Sequence, residues 1–320
     1  MTALHIRGLD AGYGGKPVLQ NLSAGPLAEG TVTALLGPNG SGKSTLLKTL
    51  AGLNPVMRGA ILLDDEDLAR ASPARRAERA MYMPQALPKG VHMTVFESVL
   101  VAARSGRQGG FGKGASGMGA SGMGASGKGA SGMGASCMGM SGKGMSGKGM
   151  SGNGAPEHGA GGNSVGRNSM TGQALMQDAL AVINDLGIST LASRYLDELS
   201  GGQKQLASLA QALVRRPRLL LLDEPLSALD LNYQFHVMDV LRRQTRQHRL
   251  ITLVVLHDLN IALRHADHAL LLHRGAIQAQ GLPADVVTPH SLREVYRVQA
   301  RVERCPQGQA QVHVDGLAGI

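Results

Sequence analysis

Three apolar runs, each closed by polar residues, predict an α/β domain built on a largely parallel sheet. The runs are Thr31–Leu36, Leu219–Leu222 and residues 250–256. Each is apolar along its length, as a strand covered on both faces must be. Between them lie helical patterns, and that alternation separates an α/β domain from an all-β one. The first run leads into Gly37-Pro38-Asn39-Gly40, the second into Asp223-Glu224 and the third into His257-Asp258. Ligands of open α/β sheets bind at these carboxyl ends, so one ligand site is expected there.

At 320 residues the chain has room for one large domain or two small ones, and its 43% hydrophobic content supports a buried core. The run at Leu219–Leu222 stops at Asp223, far short of the ~20 apolar residues of a membrane-spanning helix. Residues 1–7 lack the basic start and apolar core of a secretory signal, so a cytosolic chain is expected. Cys137 and Cys305 lie far apart without metal-ligand spacing, which speaks against both a disulfide framework and a zinc site.

The net charge of +9 invites a nucleic-acid reading, but its location opposes one. Residues 105–170 hold Arg107, Lys113, Lys128, Lys143, Lys148 and Arg167 against Glu157 alone, a surplus of +5. The remainder is mildly basic. Aromatic residues make up 2% and do not interleave with basic ones, so no nucleic-acid partner is expected.

From 112 to 151 the sequence repeats eight times with a period of five, as Gly-Met-Gly-Ala-Ser or Gly-Lys-Gly-Met-Ser. That period fits neither helix, strand nor collagen, and the glycines make ordering costly. Residues 105–170 are therefore expected to form a flexible, disordered insertion. The Met side chains with Cys137 offer soft donors of the kind that take Cu(I). An expanded, solvated linker explains the composition better.

The stretch Gly37-Pro38-Asn39-Gly40-Ser41-Gly42-Lys43-Ser44-Thr45 fits the P-loop pattern between an expected strand and the helical residues 46–50. Glycines let backbone N–H groups wrap phosphate oxygens, and the helix N-terminus adds a positive dipole end. Lys43 would reach the β- and γ-phosphates of ATP, and Ser44 would ligate Mg2+. Asp223 and Glu224 end a buried strand near that cradle. Asp223 is placed to hold Mg2+ through water, and Glu224 to polarise the water that attacks the γ-phosphate. Such a pair also serves as a helix cap or a solvated charge elsewhere.

Leu199-Ser200-Gly201-Gly202-Gln203 resembles the signature motif of the ATP-binding cassette ATPases, and it stands in the right order with the P-loop and Asp223-Glu224-Pro225. Ser200 and the glycines, ahead of a helix expected from Gln205 onward, would offer a hydroxyl and N–H groups to an anion. A turn-and-cap reading of those residues alone leaves their company unexplained. The resemblance implies a P-loop NTPase core with an antiparallel β subdomain and a helical subdomain spanning about 86–216.

It also implies roles residue by residue. Tyr13 resembles the aromatic that stacks on adenine, although a loop Tyr has other uses. Gln85 resembles the glutamine that senses Mg2+ and the γ-phosphate and links the motor to a membrane partner. Ser227-Ala228-Leu229-Asp230 resembles the loop that crosses the dimer interface, and His257 the switch histidine at the γ-phosphate. One set of motifs per chain implies a second copy, with each ATP between the P-loop of one and the signature of the other. Membrane permease subunits are implied as partners, and indirectly a substrate-binding protein, at the cytoplasmic face of a bacterial inner membrane.

Residues 258–267, 229–234 and 283–289 are similar to motors of the ferric-siderophore, haem and cobalamin uptake group. An ATPase that remodels a protein or nucleic-acid partner is the alternative of another class, and a degraded, non-hydrolysing cassette is a third. The cassette is expected over 1–104 and 171–300, with 301–320 as a C-terminal tail. The insertion falls between Gln85 and Ser200, where residues 94–104 resemble the first helix of the helical subdomain and 173–186 a later one.

Overall fold

The computed structural model describes residues 3–85, 92–107 and 165–319. The chain divides into two units, Met1–Gly110 with Ser169–Ile320, and Phe111–Asn168. The five-residue repeat and its reading as a flexible insertion lie outside the described residues.

Strands β1 (Ala3–Tyr13) and β2 (Lys16–Ala28) form an antiparallel hairpin. β3 (Thr31–Leu36) then feeds helix α1 (Lys43–Leu50). β4 (Val56–Leu63) and β5 (Glu66–Asp67) return to the hairpin and complete an antiparallel sheet of order β2-β1-β4-β5. Helix α2 (Pro73–Arg79), capped by Ser72, leads to β6 (Ala80–Met83). Helices α3 (Val95–Arg107), α4 (Val165–Asp185) and α5 (Gly201–Val214) precede β7 (Leu219–Leu222). There follow α6 (Leu231–Gln247), β8 (Ile251–Val255), α7 (Leu259–His265), β9 (His268–His273) and β10 (Ala276–Gly281). The short helices α8 (Pro283–Val286) and α9 (Pro289–Ser291) lead to a last hairpin, β11 (Val298–Arg304) and β12 (Ala310–Leu317).

The main sheet has the order β10-β9-β3-β8-β7-β6, parallel except for β10 against β9. The apolar runs are its central strands, and their two-residue period divides them between two cores. Leu35, Leu219, Leu221, Leu253 and Leu270 pack with α1 and the antiparallel sheet. Ala34, Leu36, Leu220, Leu222, Val254 and Leu271 face the core that holds α3, α5, α6 and α7. Both faces are covered, which is why these strands carry no polar alternation.

Three expectations change. α3 runs to Arg107 and α4 begins at Val165, so both edges of the segment expected as insertion are helical. α5 begins at Gly201 rather than at Gln205, because Ser200 and Gln203 close a reciprocal capping box one turn earlier. The expected tail is the β11–β12 hairpin, held on α7 by Asn260 Nδ2 donating to Val312 O at 3.4 Å and Val312 N donating to Asn260 Oδ1 at 2.7 Å. Among the described residues no helix is long and apolar enough to cross a membrane.

Candidate functional site

Register brings the site together. Met83 pairs with Leu222, and Leu222 with Val254, in parallel strands. Gln85, Glu224 and His257 follow those positions at the same edge of the sheet. Leu35 pairs with Val255, which sets the P-loop after β3 against the same edge.

Gly37 sits where a side chain has no room: a Cβ there would lie 2.1 Å from Leu272 O. Gly40, at φ 76°, supplies the left-handed step that turns the loop toward α1. Lys43, the first residue of α1, is buried, and its Nζ donates to Gly37 O at 2.8 Å and Pro38 O at 2.9 Å. Its ammonium is thus folded back over the loop it follows. Burial pushes Lys43 below the usual lysine range, while Glu224 and Asp223 pull it back up. Ser41 Oγ is buried and has no partner among the described residues, a hydroxyl left for an incoming acceptor.

Asp223 is buried and accepts at both oxygens: Ser44 Oγ donates to Oδ1 at 3.1 Å and Tyr82 OH to Oδ2 at 2.9 Å. Burial first, and Asp223 second, hold the Tyr82 phenol well above its ordinary pKa. The neighbouring Glu224, one residue on and beyond the end of β7, meets a different pair of side chains. Gln85 Nε2 donates to Glu224 Oε2 at 2.7 Å, and His257 Nε2 lies 2.7 Å from Glu224 Oε1. An open cavity of ≈ 500 Å³ lies between these groups and the P-loop, lined by Asn39, Gly40, Gly42, Lys43, Ser44, Thr45, Gln85, Glu224, His257 and Val18.

Tyr13 is half-exposed beside this cavity. Hydrogen bonds from Thr45, then Asn54, hold its phenol below the ordinary value, with Asn54 Nδ2 3.1 Å from the hydroxyl. Its ring is thereby tied to a cavity-lining residue. Ser200 to Gln203 and Asp230 do not line the cavity. Ser200 caps α5, with Gln203 N donating to its Oγ at 3.3 Å, and Asp230 caps α6 through Tyr233 N at 3.0 Å. The segments that follow Ser200 and precede Asp230 lie against each other, since a Cβ on Gly202 would lie 2.7 Å from Ala228 O.

Sequence reading missed Tyr82 and Val18 as site residues. Tyr82 carries no motif of its own, and the signal that could have found it is its place on a strand paired with the one that leads into Asp223. Val18 comes from the antiparallel hairpin, which has no motif. A hydroxyl and a buried carboxylate 3.1 Å apart form an oxygen donor set that fits a hard divalent cation such as Mg2+ sharing its shell with phosphate. Among the described residues there is no cluster of three or more His, Cys, Asp or Glu that would hold a metal alone.

Residues 19–227 match the family described as ABC transporter. The achromobactin transport ATP-binding protein CbrD of Dickeya dadantii is 31% identical over 302 residues, covering 94% of this chain and 90% of that one. The hemin import ATP-binding protein HmuV of a Jannaschia species is 30% identical, covering 98% and 95%. The iron(3+)-hydroxamate import ATP-binding protein FhuC of Bacillus subtilis is 27% identical, covering 96% and 92%. A solved ATP-binding cassette of an ABC transporter superposes with a TM-score of 0.65 at 21% identity, covering 92% of this chain and 99% of that one. With the P-loop, the paired carboxylates and the signature turn on one such fold, the chain belongs to the ABC transporter family as one of its ATP-hydrolysing subunits.

Proposed function

We propose that this chain is the motor of a bacterial importer, coupling ATP hydrolysis to uptake of a metal chelate through separate permease subunits at the cytoplasmic face of the membrane. The chemistry rests on one observation above all: the Glu224 carboxylate, fixed between Gln85 and His257 at 2.7 Å each, at the wall of the P-loop cavity. In this reading the P-loop N–H groups and Lys43 bind the phosphates, and the Tyr13 ring stacks on adenine. Glu224 takes the proton of the attacking water, and His257 steadies the carboxylate and the γ-phosphate side of the site. Ser44, Asp223 and Gln85 would hold Mg2+, which when bound neutralises charge on the phosphate oxygens.

Ser200, Gly201, Gly202, Gln203 and Asp230 stand outside their own chain's cavity. That position supports a second copy completing each site, with the signature turn of one chain over the nucleotide of the other. Two such sites share one two-fold interface, and ATP becomes part of it. The achromobactin, hemin and iron(3+)-hydroxamate relatives support a ferric siderophore or haem as cargo; cobalamin, and delivery by a substrate-binding protein, belong to this proposal on the resemblance of residues 229–234, 258–267 and 283–289 alone.

The test is uptake of radiolabelled ferric siderophores, haem and cobalamin in cells that lack the gene, complemented with the native or the Glu224→Gln form. Rescue of one compound by the native form alone is expected. Unchanged uptake of every compound in the deletion strain would overturn the metal-chelate assignment.

A further inference from the structure

Glu224 is constrained through its backbone as well as its side chain. Its φ of 53° lies in the left-handed region, which a residue with a Cβ disfavours. Three donors converge on its carbonyl oxygen: Gln205 Nε2 at 2.7 Å, Ser227 Oγ at 3.1 Å and Ser227 N at 3.4 Å. The two from Ser227 are local to the turn. Gln205 comes from another element, the second turn of α5.

The Gln205 side chain is committed to this task. Its Nε2 also lies 3.2 Å from Ser227 Oγ, and its Oε1 accepts from Ala228 N at 3.0 Å. It is only 6% exposed. A buried amide with both ends engaged by residues 224–228 joins the start of α5 to the segment that carries Glu224.

We infer that Gln205 is a positioning residue for hydrolysis: it holds Glu224 in the left-handed backbone conformation that presents its carboxylate to Gln85 and His257. The inference rests on the reading of Glu224 as the base. Such a conformation persists only where its surroundings over-determine it, and Gln205 supplies the constraint from outside the turn. Without that donor the Glu224 backbone relaxes and its carboxylate leaves the cavity wall. A displacement of about 1 Å at a reacting group costs on the order of 100-fold in rate.

The experiment compares Gln205→Leu and Ser227→Ala with the native full-length chain. Leu fills similar space and makes no hydrogen bond, while Ser227→Ala removes one exposed hydroxyl donor. The readouts are kcat and KM for ATP, the affinity for N-methylanthraniloyl-ATP, and Tm. For Gln205→Leu, kcat should fall about 10- to 100-fold with probe affinity kept within about two-fold; for Ser227→Ala the fall should be several-fold. Unchanged kcat in Gln205→Leu, or equal losses of kcat and probe affinity, would overturn the inference. Should Gln205→Leu not fold, Gln205→Glu decides: it keeps an acceptor for Ala228 N but sets an oxygen in place of the donor to Glu224 O, and native kcat in that variant overturns the inference. Glu224→Gln is the control: native turnover there would remove the base reading itself, a failure distinct from that of Gln205.

Discussion

His257 Nε2 and Gln85 Nε2 lie at the same distance, 2.7 Å, from the two oxygens of Glu224. Strands β6 and β8 thus deliver one side chain each to the carboxylate that follows β7, the strand between them. Glu224→Gln preserves the shape of that group and removes its basicity. ATP turnover, read as phosphate release, is expected to fall about 10²- to 10⁴-fold with nucleotide binding retained. Native turnover in this variant would exclude Glu224 as the base.

Tyr82 donates to the oxygen of Asp223 that Ser44 does not use. Tyr82→Phe keeps the ring and deletes the donor. The buried Asp223 then loses one of two partners, a loss of about 1–2 kcal/mol in unfolding free energy. The concentration of Mg2+, or of Mn2+ followed by electron paramagnetic resonance, needed for half-saturation with nucleotide should rise about ten-fold. Denaturant titration and Mn2+ binding check the two effects separately, and unchanged values in both would make the hydroxyl incidental.

Gly37 lies against the backbone of β9, where a Cβ would overlap Leu272 O at 2.1 Å. A carbonyl in a sheet cannot move aside as a flexible side chain can. Gly37→Ala is therefore expected to destabilise the chain by about 1–3 kcal/mol and to weaken ATP binding through the displaced P-loop. Urea denaturation and probe binding are the measurements.

Lys43 carries a pH signature. Burial sets its folded-state pKa below the ordinary value, so the unfolded chain holds the proton more tightly than the folded one. Stability then rises with pH from the lowered value up to about 10.4, and the cost of the buried ammonium is fully present below that window. Native protein without nucleotide should gain Tm relative to Lys43→Met as pH is raised from about 8 to about 10.4. A constant difference would place Lys43 at its ordinary value.

The parallel sheet and the P-loop were legible because both are local. Uninterrupted apolar runs mark strands covered on two faces, and glycine spacing marks a loop that must wrap a ligand. Glu224 was read from its place at the end of a buried strand near the P-loop, and Gln85 and His257 from a resemblance; strand register explains why they meet. The helix start at Gly201 was misread because two glycines look like a breaker, whereas the Ser200–Gln203 capping box stabilises that turn. Tyr82 and Gln205 were not legible as functional residues, since their partners lie on other strands or on a turn 19 residues or more away in sequence. The C-terminal hairpin was hidden for a related reason. Its strands carry polar residues on their exposed face and owe their placement to side chains on α7.

That placement can be tested. Asp258 accepts from Asn260 N at 2.7 Å and Ile261 N at 3.1 Å, so α7 starts directly after His257. Asn260 then spends both ends of its amide on Val312, and Arg264 NH1 donates to Gln309 Oε1 at 3.0 Å. The hairpin is clipped to the helix that leaves the site, chiefly by two hydrogen bonds from one side chain. Asn260→Ala should cost about 1–2 kcal/mol locally. Amide exchange at Val312 should quicken about ten-fold, since a loss of 1.4 kcal/mol is a factor of ten in the opening equilibrium. ATP turnover of the isolated chain should stay within about two-fold of native, because the clip touches none of the groups around Glu224. Slow exchange retained at Val312 would mean that the contacts of β11 hold the hairpin in place, and that Asn260 only decorates the seam.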